Sequence, residues 1–195
     1  MDESSLGYNT DSSAISRETD ANTSVSTSFE SQCPISPNVK NHIITAIVAN
    51  LKDIIEENKQ AGNNKYTIWR DNVYYLDQIP PISLEDYIRH LVKYTNMNIS
   101  SLILSIIYID KFCEKNKYIL SLNNVYRLIL ISVFISLKYN EDEMVNTSTY
   151  AYIAGVSVQD LKMLEYQMCA ALEFNFYVKS DYYQQYFVYF CKYSP

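Results

Sequence analysis

Two charged side chains stand on segments that are otherwise apolar at helical spacing. Lys138 follows the apolar run from Leu128 to Leu137, and Glu165 lies between Leu161 and Leu172. Opposite charges on apolar helices are suited to holding a partner's helix through a few fixed polar contacts. Each also has a simpler account. A lysine in a last helical turn is favoured by the helix dipole, with its stem lying along apolar surface. Glu165 has Lys162 three residues before it as an ordinary solvated partner. Asp110, on a third apolar segment, reads most simply as half of a structural ion pair.

Chemistry of other kinds finds little support. The histidines are only His42 and His90, and no glycine-rich phosphate loop, HExxH motif or His/Cys cluster occurs. Glu141, Asp142 and Glu143 form an acidic run that solvates a loop more readily than it binds a metal. The cysteines, Cys33, Cys113, Cys169 and Cys191, lie far apart and read as buried reduced thiols. No catalytic residue, metal, cofactor or small-molecule substrate is expected.

The elements that must position these groups are helices. Between Pro81 and Pro195 there is no proline, and Gly155 is the sole glycine. Apolar periodicity predicts a helix from Asn38 to Asn58, ended by Gly62-Asn63-Asn64. A packed extended connector follows, Tyr66 to Ile79, with Trp69 as its anchor. Ser83 with Asp86, and Ser157 with Asp160, are helix-start signatures. They open helices reaching about Thr95 and Phe174. Further helices are predicted over Ser100–Lys115, Asn123–Asn140, Thr147–Ala154 and Ser180–Tyr193. The helix from Asn123 is apolar on every side, so other helices must surround it. Ser132 and Ser136 on it allow close approach, and Gly155 stops the helix before it.

The 195 residues carry a net charge of −6. Six acidic residues against Arg17 place −5 of this before Val39. The rest is near neutral with no basic stripe, which argues against nucleic acid as a partner. Residues 1–36 are rich in Ser, Thr, Asp and Asn, and are expected to be a disordered acidic tail. Ser36-Pro37 closes it, either as a helix start with Pro37 in the first turn or as a proline-directed phosphorylation site at Ser36. No signal peptide is read at the N-terminus, and the longest apolar run is too short for a membrane span. The nucleus or cytoplasm is the expected location.

In order and spacing the local motifs resemble the cyclin family. Tyr108-Ile109-Asp110-Lys111-Phe112 is similar to its Tyr-x-Asp-Arg-Phe segment. Ser136-Leu137-Lys138-Tyr139-Asn140-Glu141-Asp142 is similar to its Ser-Lys-Tyr-acidic segment. Met163-Leu164-Glu165 and Leu172-Glu173-Phe174-Asn175-Phe176 resemble the fifth helix of the cyclin box and its exit. Ile79 through Tyr87, Lys93 through Asn96, and Tyr150 through Ser157 resemble the P-type, or U-type, subgroup. The resemblance covers about half the chain.

It implies an all-α fold, a five-helix cyclin box over residues 79–178. Residues 37–78 form a preceding helix and connector, and 179–195 a C-terminal helix. It implies a regulatory subunit that binds and activates a cyclin-dependent kinase, in cell-cycle or nutrient signalling. Lys138, Glu165, Cys169, Phe174 and Phe176 would face the kinase. The family also pairs Asp110 with an arginine of the first box helix. His90 occupies that position here with Arg89 beside it, so either could serve. The substrate-docking patch of cell-cycle cyclins is not recognisable. A cyclin-fold adaptor or transcription-factor-like module that activates no kinase is the alternative.

Overall fold

The computed structural model describes residues 36–61, 72–143 and 146–193. The acidic tail, the glycine break at Gly62 and the Trp69 anchor lie outside the described residues. Those described form seven α-helices and no strand: α1 (Pro37–Gln60), α2 (Leu84–Thr95), α3 (Ile99–Asn116), α4 (Val125–Asn140), α5 (Thr147–Ala154), α6 (Val158–Ala171) and α7 (Ser180–Lys192). The fold is all-α, as expected.

The start signals work as read. Ser36 caps α1, with Pro37 inside the first turn. The Ser83 hydroxyl accepts the Asp86 N–H at 3.0 Å and donates to the Asp86 carboxylate at 2.7 Å. Ser157 and Asp160 repeat the same reciprocal pair at the start of α6. Each satisfies an amide that the first helical turn leaves open. Gly155, at φ +74°, ends α5 in the left-handed region.

Helix α4 is the central rod. Leu128, Ile129, Ile131, Phe134 and Leu137 on it are all buried, and α2, α3 and α6 pack around it. Its most extensive partner is α3. Buried serines line that seam: Ser101 and Ser105 on α3, Ser132 and Ser136 on α4. Small side chains let the two helices close up, and their hydroxyls are satisfied across or along the seam. Ser136 donates to the Ser101 carbonyl at 2.7 Å, and Ser132 to Ile129 at 3.1 Å. Each fully buried Leu, Ile or Phe contributes about 1.5–3 kcal/mol relative to exposure.

Helix α1 buries Ile43, Ile44, Ile47, Val48 and Leu51 and packs against α2 and α7. The described end of the connector is packed as expected, but as a series of turns rather than an extended segment. Leu76 and Asn123 exchange hydrogen bonds at 2.8 and 2.7 Å, and Tyr126 donates to the Ile82 carbonyl at 2.7 Å. Tyr74 drops into the core against Phe112 at 5.1 Å.

One helix end differs from expectation. The α6 helix stops at Ala171, not Phe174. The Glu173 N–H returns to Ala170 and the Phe174 N–H to Cys169, at 3.0 and 2.8 Å. This is a Schellman closure made without glycine. Glu173 and Phe174 both take left-handed conformations, φ 53° and 56°. With no glycine to mark it, the stop is invisible in the sequence.

Candidate functional site

The end of α4 and the last turns of α6 bring the two lone charges together. Lys138 Nζ lies 2.5 Å from Glu165 Oε1. The lysine side chain is 44% exposed and the glutamate 23%. The ammonium also sits 5.4 Å from the centre of the buried Phe134 ring. Glu165 therefore pairs across the helices rather than with Lys162. The pair is not consumed by the contact, since an ammonium has three donors and a carboxylate two oxygens.

The other nominated residues surround it. Cys169, one turn beyond Glu165, is half-buried. Burial pushes its thiol pKa up, the Glu165 carboxylate adds to the rise, and Lys138 opposes it. Its carbonyl holds the Phe174 N–H, and the left-handed exit throws the Phe174 ring into solvent, 66% exposed. Phe176 folds back instead. It stacks edge-on to Tyr108 at 5.5 Å, and lies 5.8 Å from Tyr139 beside Lys138. The Tyr108 hydroxyl donates to the Phe176 carbonyl at 3.2 Å and fixes the strand of chain that carries both phenylalanines.

The Cyclin family model matches residues 3–176, most of the chain. This chain belongs to the cyclin family. Among relatives, it is 25% identical to cyclin-U2-1 of Arabidopsis thaliana over 74% of this chain and 65% of that protein. It is 26% identical to cyclin-U4-1 of the same plant, over 80% and 78%. It is 21% identical to cyclin-P3-1 of Oryza sativa subsp. japonica, over 68% and 56%. The chain spans 65% of the length of cyclin-U2-1 and 51% of cyclin-U2-2.

The cyclin-type ion pair at Asp110 is not made. Arg89 turns toward α1 and its own helix. It bonds Glu85 at 2.9 Å, Thr45 at 3.0 Å and Asn41 at 3.3 Å. His90 faces α5, with Nε2 donating to the Ile153 carbonyl at 2.9 Å. Neighbouring residues on a helix point about 100° apart, so α2 commits them to α1 and α5 and leaves neither for α3. The Tyr186 hydroxyl of α7 donates to Asp110 instead, at 2.9 Å. Desolvation holds the Asp110 carboxyl above the ordinary value of 3.8, Tyr186 opposes that rise, and Glu114 adds to it.

Sequence reasoning passed over two contributors to this cyclin's surface. Tyr139 is half-exposed beside the lysine, and Lys115 at the end of α3 bonds Glu173 at 2.9 Å, bracing the exit that aims Phe174. An aromatic directly after a lone helical lysine was the available signal for the first. The second joins residues 58 positions apart and left none. Ser36 is exposed, and its hydroxyl accepts the Val39 N–H at 3.4 Å.

Proposed function

We propose that this cyclin binds and activates a cyclin-dependent kinase in the nucleus or cytoplasm, and performs no chemistry itself. The observation that carries the reading is the Lys138–Glu165 pair standing beside the outward-facing Phe174. An exposed aromatic anchor next to a paired charge with spare donors and acceptors fits the apolar centre and fixed polar contacts of a helix-binding surface. The kinase's mobile regulatory helix is the occupant. Phe174 and Phe176 cover its apolar face, while Lys138 and Glu165 meet its polar ends. Activation follows if the surface binds one position of that helix better than the other, which shifts the kinase population toward the active form.

Co-expression with a panel of cyclin-dependent kinases, followed by pull-down and a phosphorylation assay, tests this. One kinase is expected to copurify and to gain activity. Binding without activation would identify an adaptor. Equal binding by a Lys138→Glu, Glu165→Lys double variant would remove this surface from the account.

A further inference from the structure

Asp110 is a partly buried carboxylate whose counter-charge is missing. Among the described residues no cation lies within ion-pair distance of it, and the Tyr186 phenol donates to its carboxylate. Glu114, one turn on in α3, adds a second negative field. A carboxylate removed from water and left to one neutral donor is a costly arrangement.

A cavity of about 410 Å³ opens onto this carboxylate between α1, α3 and α7. Its walls include the rings of Tyr186, Tyr189 and Phe190, with the amides of Asn50 and Gln185 at its edge. Asn50 donates to the Tyr189 hydroxyl at 2.9 Å and holds that ring in place. Tyr189 meets Phe190 edge to face at 5.3 Å. A carboxylate at the floor and aromatic faces on the walls are the two groups that attract a cation. A planar guanidinium uses both, because it bonds a carboxylate through two N–H groups and stacks on rings.

The hollow continues along the outer face of α7. A second depression shares Gln185 and Tyr189 and adds Gln184, Val188 and Asp181. The strip has a carboxylate at each end and amide and apolar groups between. That length and mixture suit a stretch of polypeptide.

We propose that this cavity receives the guanidinium of an arginine side chain presented by a partner polypeptide, bound to Asp110 and covered by Tyr186 and Tyr189. None of its lining residues belongs to the Lys138–Glu165 surface, so the site does not depend on the kinase reading.

The test is an NMR titration of the isotope-labelled full chain with three probes. These are the peptide acetyl-Ala-Arg-Ala-amide, its neutral citrulline counterpart, and spermidine. The arginine peptide should saturate shifts at Gln185, Tyr186 and Tyr189 in the millimolar range or below. Citrulline in place of arginine, or Asp110→Asn, should weaken binding about ten- to a hundredfold. Gln185→Arg supplies a guanidinium from the chain itself, so it should block the peptide and raise the melting temperature. It decides the matter if Asp110→Asn fails to fold. No saturable shift, undiminished binding by Asp110→Asn, undiminished binding by Gln185→Arg, or tighter binding of spermidine than of the arginine peptide would overturn the assignment.

Discussion

Exchanging the two charges, Lys138→Glu with Glu165→Lys, separates the binding role of this pair from its role in the fold. In the free chain the ion pair is partly solvated on both sides, 44% and 23% exposed. Such a pair contributes about 0.2–1 kcal/mol, and the exchange keeps it with reversed polarity. The melting temperature should therefore move by no more than about 2–4 °C. Against a kinase helix the same charges are desolvated and must meet complements. Reversing them leaves like charges or unpaired groups in the interface, worth about 2–5 kcal/mol. At 1.4 kcal/mol per tenfold, the dissociation constant should rise about 30- to 4,000-fold. Calorimetric binding to the copurifying kinase, beside a thermal melt of each free chain, reads both quantities. A double variant that melts like wild type and binds like wild type refutes the reasoning, because no interface that buries these charges tolerates their inversion. Loss of binding with a collapsed melt would instead show the pair to be structural.

Three further outcomes follow from the geometry. Phe174→Ala removes a ring that is 66% exposed, so stability should stay within about 0.5 kcal/mol by thermal melt while kinase affinity falls at least tenfold. Glu173→Gly relieves a left-handed residue at φ 53°, which should stabilise the chain by about 0.5–1 kcal/mol, less what the Lys115 contact contributes, in urea unfolding. Asp110→Asn should alter the pH dependence of stability. Desolvation raises this carboxyl above 3.8 in the fold, so the native state holds the proton more tightly than the unfolded chain. Wild-type stability is then greatest below the unfolded value, declines as pH rises through the interval up to the folded value, and stays low above it. The Asn variant lacks that decline. Melts should show it equal to or more stable than wild type at pH 7, with the difference shrinking toward pH 3.

Much of the fold was legible because its signals are local. Ser83 with Asp86, Ser157 with Asp160, and Gly155 each act within one helical turn, and each marks the end it was read to mark. The uniformly apolar stretch of α4 could only be an enclosed helix. The site was legible in its parts. Lys138 and Glu165 stood out as charges on apolar helices, but their direct contact spans 27 positions and depends on how α4 packs on α6. The end of α6 was misjudged because its closure is made by Glu173 and Phe174 where a glycine would have signalled it. The Asp110 partner was misjudged for a different reason. A helix's rotation about its axis is set by what it packs on, and that rotation puts Arg89 within reach of Glu85 on its own helix and of Thr45 and Asn41 on α1 rather than across the core.

That last substitution changes what the C-terminal helix is. Read from sequence, α7 is an extension added to a five-helix box. In the structure it packs on α1 and α3 and buries Tyr183 and Phe190. Its rim is then tied down by polar tips: Tyr186 to Asp110, Tyr193 to Asp53, Asn50 to Tyr189, and His42 to the Cys191 carbonyl. Tyrosine suits this work because its ring fills apolar space while its hydroxyl reaches a partner at the edge. Three of those four ties run to α1. These two helices therefore stabilise each other across the α3 face, with Asp110 of α3 at the cavity between them. Removing α7 would expose the apolar stripe of α1 and return the carboxylate to water. Helices α1 to α7 pack as one body, and a variant truncated after Val178 should be judged as a damaged core rather than a trimmed tail.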